Sequence, residues 1–433
     1  MKLALTESRR LRLFSFTILY FAQGFPFGLV NTALPAYLAE LGESPAAIAS
    51  FIAFANLPWS FKLFAGPIMD RWTYLAMGRR RPWVIFAQSC MVLTGLAFAF
   101  FPSGLQSIVV LSALCFTLNV FAASQDVAVD GMAIDVLPPE EHGRANAFMA
   151  FGQVAGISVS TAVAAFVVIT FGMAGIAALL AIAFGLILAV AVAVRERPGE
   201  KVLPWTPGEA TQRSLAMKPE SWKAIAVDLA KVMFLPASLL IFAAAFIFRF
   251  AYGVWISVAP IVVVQDLGFE SAQYSSFISL VGFLAAVAGL AIGIVIDTRG
   301  IRLFYGLMLG LYGLLCIFLG LTEFAWASPT FLIAVGIAQA FIYQGGFISF
   351  IASCMKICWQ KVSATQFAIY MAGANIGLSM GAGAFAALQD VLSFSQMFIL
   401  LGLTFFVGVL AVRFANLDVH NERIAVLNRV VTA

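Results

Sequence analysis

The stretch Ser124–Asp135 holds the side chains of this sequence that could do chemistry in an apolar setting. Asp126 and Asp130 are four residues apart, so on a helix they share one face. They sit inside an apolar run that begins near Leu105. A carboxylate in a hydrocarbon-embedded helix is costly; it normally meets a partner or a cavity and marks a solute or proton path. Lys62 brings a cation into another apolar run, and Arg249 into a third. At ~1.5 Å of rise per residue, Lys62 lies ~12 Å from the helix end at Asp70, and Asp126 and Asp130 lie ~14 and ~8 Å from the end near Asp135. A buried ammonium beside a carboxylate keeps both charged. One aspartate is thus expected to pair with Lys62 and the other to exchange a proton. We assign the ion pair to Asp130 and the proton to the deeper Asp126. The alternative is that both are structural.

The elements that must position these residues follow from composition. Hydrophobic residues make up 62% of the 433 and charged residues 11%, and the mean hydropathy is +0.99. Soluble domains carry about a quarter charged residues, so this is an all-α membrane protein. Twelve apolar spans are expected, roughly 13–38, 46–69, 84–101, 105–135, 145–170, 174–194, 237–264, 273–296, 303–322, 328–354, 366–386 and 394–415. With alternate loops inside, 23 of the 25 Lys and Arg fall in the inner loops or at the inner ends of spans, and the other two, Lys62 and Arg249, lie deeper within spans. That bias predicts cytosolic termini, with Glu40, Glu43, Asp266, Glu270, Glu323 and Asp390 outside. The basic N-terminus leads into an uncleaved first helix on this reading. Five cysteines and two histidines without metal-site spacing predict neither a zinc site nor a disulfide framework.

The longest inner loop, 195–236, divides the chain into six-span halves, 1–194 and 237–433. Within it, Trp222, Ile225, Ala226, Leu229, Val232 and Met233 recur at helical spacing, as in a helix lying on the membrane surface; an unstructured linker is the alternative. The halves repeat. Gly66-Pro-Ile-Met-Asp70-Arg71 ends span two, and Gly293-Ile-Val-Ile-Asp297-Thr-Arg299 ends span eight, each followed by further basic residues. Internal repeats are common in secondary transporters. These two clusters resemble the loop signature of the major facilitator superfamily, and imply its fold of two pseudo-symmetric six-helix halves.

A narrower resemblance, to AmpG-type muropeptide permeases and the related acetyl-CoA transporters, rests on several motifs. They are Lys62 with Pro67, Asp70 and Arg71; Gly78-Arg-Arg-Arg-Pro-Trp83; Gln125-Asp126 with Asp130; Leu137-Pro-Pro-Glu-Glu-His-Gly143; and Ser363-Ala-Thr-Gln-Phe-Ala368. It implies proton-coupled uptake of a large amphipathic solute by a monomer in the bacterial inner membrane, with no cofactor and no nucleic acid. No acidic residue follows Arg249 within span seven, so related siderophore importers stay an alternative to a muropeptide carrier.

In that fold spans one, four, seven and ten line the central cavity, which makes Gln23, Asn119, Arg249, Gln339, Tyr343 and Gln344 the candidate substrate contacts. A guanidinium suits a carboxylate or phosphate. Asp70 and Asp297 are placed to meet the starts of spans eleven and five, where a carboxylate offsets the helix dipole by ~0.3–1 kcal/mol. Together with ion pairs from Arg71, Arg79–Arg81, Arg299 and Arg302 they form the candidate inner gate; charges that only set topology are the alternative. Ser363 and Gln366 fit a helix-start box. Other function classes are disfavoured. There is no phosphate-cradling Walker loop. An intramembrane aspartyl protease needs facing carboxylates, and here both lie on one helix. A solute sensor is the remaining alternative.

Overall fold

The computed structural model describes residues 3–40, 45–100, 108–217, 221–260, 262–263, 271–388 and 391–432. The expected outer residues Glu43, Asp266, Glu270 and Asp390 lie outside that set.

All twelve spans are helical. Span one runs from Arg9–Gly28 through a π-helical segment, Leu29–Ala33, into Leu34–Glu40. The wider turn follows Pro26, which cannot donate its backbone hydrogen bond and crowds the preceding turn. Span two is two helices, Pro45–Asn56 and Pro58–Arg71, because Pro58 starts the second at the position where a missing N–H costs least. Arg81–Ala97 and Ile108–Val136 follow. Spans five and six form the single stretch His142–Ala193, broken at Gly172, whose φ of 60° only glycine adopts readily. The second half comprises Pro236–Pro260, Ser271–Arg299, Ile301–Leu321, Pro329–Ile357, Ser363–Leu388 and Phe394–Phe414. Among the described residues, ten helices are individually long and apolar enough to cross a membrane. The broken span two and the glycine-rich span eleven complete the twelve. Serines cap three starts: Ser8, Ser328 and Ser393, the last in a full capping box with Gln396.

The residues group into two compact units. One holds residues 1–137, 148–228 and 360–368; the other holds 138–147, 229–359 and 369–433. The first turns of spans five and eleven are thus grouped apart from the rest of their helices. Within the first unit a Cβ on Gly24, Gly152 or Gly156 would strike the backbone of Gln153, Thr17 or Phe21. Spans one and five approach backbone to backbone there, as small-residue stripes allow. Within the second unit Gly377 and Gly381 of span eleven meet the backbone of Phe246 and Phe250 of span seven in the same way, and Gly373 meets the Phe242 ring.

The linker is ordered against the first unit. Leu5 N–H donates to Arg195 O (2.8 Å), Arg195 N–H to Leu3 O (2.8 Å), and Lys201 N–H to Ala76 O (2.7 Å). A helix does form over Trp222–Met233. The face expected to meet lipid is split, however: Ile225 and Val232 are buried in protein together with Asp228. Trp222 stays half exposed and meets the edge of Trp72. Asp228 explains the turn inward, since Lys361 pairs with it at 2.8 Å. A further helix, Leu417–Thr432, follows the last span. His420 fixes it through a 2.9 Å bond to Ile357 O.

Candidate functional site

In the first unit the acidic pair of span four sits in a polar cluster. Asp126 and Asp130 are each 4% exposed. Lys62 Nζ lies 2.8 Å from Asp126 Oδ2, and Gln23 of span one donates its amide to Asp126 Oδ1. Asp130 instead receives the Tyr20 hydroxyl on Oδ1. The expected assignment of Lys62 to Asp130 is therefore reversed. Depth accounts for it: Lys62 at ~12 Å lies nearer the level of Asp126 at ~14 Å than of Asp130 at ~8 Å, and Tyr20 occupies the shallower oxygen. One residue before Asp126, Gln125 points elsewhere, accepting from the Gln88 amide and donating to Leu19 O (2.9 Å). Asn119, expected to face solute, is 1% exposed, and its amide ties span four to Ala55 O at 2.7 Å.

In the second unit Arg249 of span seven donates to the Tyr343 hydroxyl (2.7 Å) and to Asn375 Oδ1 (3.4 Å). Its guanidinium also lies 5.7 Å from the ring centre of Tyr252, which stacks on Tyr343 at 4.0 Å. These three partners are neutral. Tyr252 and Asn375 complete this group. Asn375 lies on span eleven, which sequence reasoning had not counted among the cavity-lining spans. Gln339 and Gln344 do not join it. Gln339 bonds to the Tyr312 hydroxyl (2.8 Å). Gln344 abuts Gly289 of span eight, where an added Cβ would sit 3.2 Å from its amide nitrogen.

At the basic ends of the helices, Asp70 is fully buried. Its Oδ2 accepts the Thr365 N–H (2.9 Å) and hydroxyl (2.6 Å), so it holds the first turn of span eleven. Its Oδ1 meets Arg80 and Arg79, the latter at 3.3 Å. Of the arginines expected here, Arg79 and Arg80 are the ones on Asp70. The chain turns back through Leu75–Met77 and Gly78 (φ 105°) and brings Arg79 and Arg80 to Asp70. Asp135, missed by sequence reasoning, completes the cluster by accepting from Ser363 (3.0 Å), Arg79 (3.4 Å) and Arg80 (3.3 Å). Ser363, expected as a simple helix cap, thus lies between an arginine and an aspartate. Glu196 accepts the backbone N–H groups of Arg79, Arg80 and Arg81 at 2.9, 2.6 and 2.6 Å, where span three begins. Glu200 lies buried beside it, and burial together with the Glu196 charge pushes its carboxyl up to about 7.

In the second unit Asp297 accepts the N–H groups of Gly143 (2.8 Å) and Arg144 (3.1 Å), at the start of span five. The cation beside it is Arg144, at 3.9 Å. Arg299 is exposed, because one residue beyond Thr298 the helix turns its side chain away from that contact.

Comparison with known proteins gives concordant findings. The family model described as Major Facilitator Superfamily matches residues 16–270 and 241–426. The anhydromuropeptide permease of Escherichia coli K12 is 25% identical over 376 residues, covering 83% of this chain and 70% of that protein. A putative transporter AmpG 4 of Rickettsia felis is 27% identical over 84% of this chain and 87% of its own length. Among solved structures, a human organic anion transporter superposes with a TM-score of 0.67 at 13% identity, covering 94% of this chain and 100% of its own. The Escherichia coli fucose:proton symporter does so with a TM-score of 0.67 at 14% identity, covering 93% and 98%.

Proposed function

We propose a function that proceeds from family membership: the chain belongs to the Major Facilitator Superfamily, and is a multi-pass membrane transporter rather than an enzyme. We propose that it is a proton-coupled importer of a large amphipathic solute of the anhydro-muropeptide kind. It works as a monomer in a bacterial inner membrane, with both termini in the cytosol.

The observation that carries the coupling is the unequal partnering of two buried carboxylates on one helix face. Asp126 is held by Lys62 and Gln23. Protonating it would strand a buried ammonium, a state that costs several kcal/mol. Asp130 meets the neutral Tyr20 hydroxyl. Protonating it removes a buried charge and leaves the oxygen that accepts from Tyr20 in place. Asp130 therefore carries the coupling proton, and the Lys62–Asp126 pair keeps the neighbouring turn in register.

Arg249, with Tyr343, Asn375 and Tyr252 around it, binds the anionic group of the solute. Its planar fork matches a carboxylate or phosphate. The flanking rings offer faces on which a sugar or ring could rest. Asp70 and Asp297, each seated on the start of a helix, form the cytosolic latches that let go when the transporter switches, as rocking repeats require.

The test is uptake into vesicles containing the purified protein, under an imposed pH gradient. Tracers would be an anhydro-muropeptide, a ferric siderophore and an acyl-CoA. Accumulation of the muropeptide above equilibrium supports the reading. Accumulation of a siderophore instead favours the reading that the absence of an acid after Arg249 leaves open. Binding without accumulation of any tracer points to a sensor and defeats the proposal.

A further inference from the structure

The unit formed by residues 138–147, 229–359 and 369–433 contains a cavity of about 260 Å3 that the proposed transport cycle does not use. It lies at the helix ends opposite the basic loops. Ala259 borders it near the end of span seven, Ile278 near the start of span eight, and Pro329 at the start of span ten. Its wall is aromatic on one side, where Phe398 packs edge-on against Trp255 and Trp326 at 5.5 and 5.9 Å. Among the described residues, no charged side chain lines it. Its one amide, Gln339, already donates to the Tyr312 hydroxyl, and the Trp326 indole donates to Leu319 O.

We infer that this cavity binds one acyl chain of a bilayer lipid. Among the described residues its lining is almost wholly apolar, so it offers little to a headgroup or to a hydrophilic solute. An apolar void of roughly 150 Å3 stays dry and accepts a benzene ring, so this larger one suits a length of alkyl chain. Left empty, the wall would lose its dispersion contacts. The source of the chain follows from the mouth. Ile278 and Ile333 line the cavity and are 43% and 46% exposed. Ile333 continues into the exposed apolar row of span ten, where Ile337 follows one turn on, and Leu280, Leu284 and Val287 form such a row on span eight. In a chain that crosses the membrane those rows face lipid, so the cavity opens directly onto hydrocarbon.

The experiment uses the full chain in phosphatidylcholine vesicles whose acyl chains carry bromine at successive depths. The emission of Trp255 is isolated as the difference between the wild type and Trp255→Phe. The inference expects bromines at some depth to abolish most of that component. It expects Ala259→Phe, which fills the cavity, to restore it with helix content unchanged; Val335→Phe serves if the first variant does not fold. Failure of bromolipid to quench Trp255 at every depth overturns the inference. Quenching that survives a filled cavity also does, since ordinary boundary lipid would then explain it. So does quenching by aqueous acrylamide in place of bromolipid, which would mean a wet cavity.

Discussion

Lys62 Nζ sits 2.8 Å from Asp126 Oδ2, with the lysine side chain 13% and the aspartate 4% exposed. A pair this buried gains little over an apolar replacement but is expensive to halve. Lys62→Met should therefore lower stability by about 3–5 kcal/mol. Lys62→Met with Asp126→Leu should recover most of that loss. Thermal melting of the detergent-solubilised protein measures both. Equal destabilisation by the single and double variants would mean that the pair is not the source.

The two aspartates of the repeat are bound unequally. Asp70 faces two buried guanidinium groups as well as the Thr365 N–H. Asp297 caps a helix start, with Arg144 at 3.9 Å. Asp70→Ala strands buried charge and should cost about 3–5 kcal/mol, whereas Asp297→Ala removes mainly a cap, at about 0.5–2 kcal/mol. Melting of the two variants side by side checks the order. Equal losses would contradict it.

Much of this could be read from the residues. Apolar runs fixed the twelve spans, and the doubled Gly-x-x-x-Asp placed Asp70 and Asp297 on the starts of spans eleven and five. The helix-rise depths of Lys62 (~12 Å), Asp126 (~14 Å) and Asp130 (~8 Å) differ by about one helical turn at most, so they favour Asp126 only slightly, and the expectation of Asp130 as the partner fails. Arg79 and Arg80 reach Asp70 only because the chain doubles back at Gly78, and no local pattern announces which arginine returns. Tyr20 read as one aromatic among many. Its role depends on span one packing against span four, a tertiary fact.

Arg249 should be the anion contact. Arg249→Ala should weaken solute binding by about 1.5–3 kcal/mol, the worth of a charge-assisted hydrogen bond. Arg249→Lys should restore part of it, since Lys lacks the planar fork. Tyr343→Phe should have a smaller effect, because it only loosens the guanidinium. Equilibrium binding of tracer to the purified variants decides this. Unchanged affinity in Arg249→Ala would remove the residue from the site.

Glu200 gives a pH dependence outside the membrane spans. Its carboxyl is raised from 4.5 to about 7, by burial first and Glu196 second. A raised carboxyl stabilises the fold fully below pH ~4.5, and that contribution is lost as pH climbs through about 7. Glu200→Gln should therefore melt higher than wild type at pH 8, by an amount on the order of 3 kcal/mol at most. The two should converge towards pH 4.5. A variant whose deficit is the same at every pH would refute this.

The central claim is that Asp130 carries the coupling proton while Asp126 stays bound to Lys62. Its most direct measurement compares two assays on Asp130→Asn in reconstituted vesicles. One is accumulation of solute driven by an imposed pH gradient. The other is exchange of labelled for unlabelled solute across preloaded vesicles with no gradient. The amide mimics the protonated acid permanently, so accumulation should vanish while exchange persists near the wild-type rate. Accumulation that survives in Asp130→Asn would contradict the account.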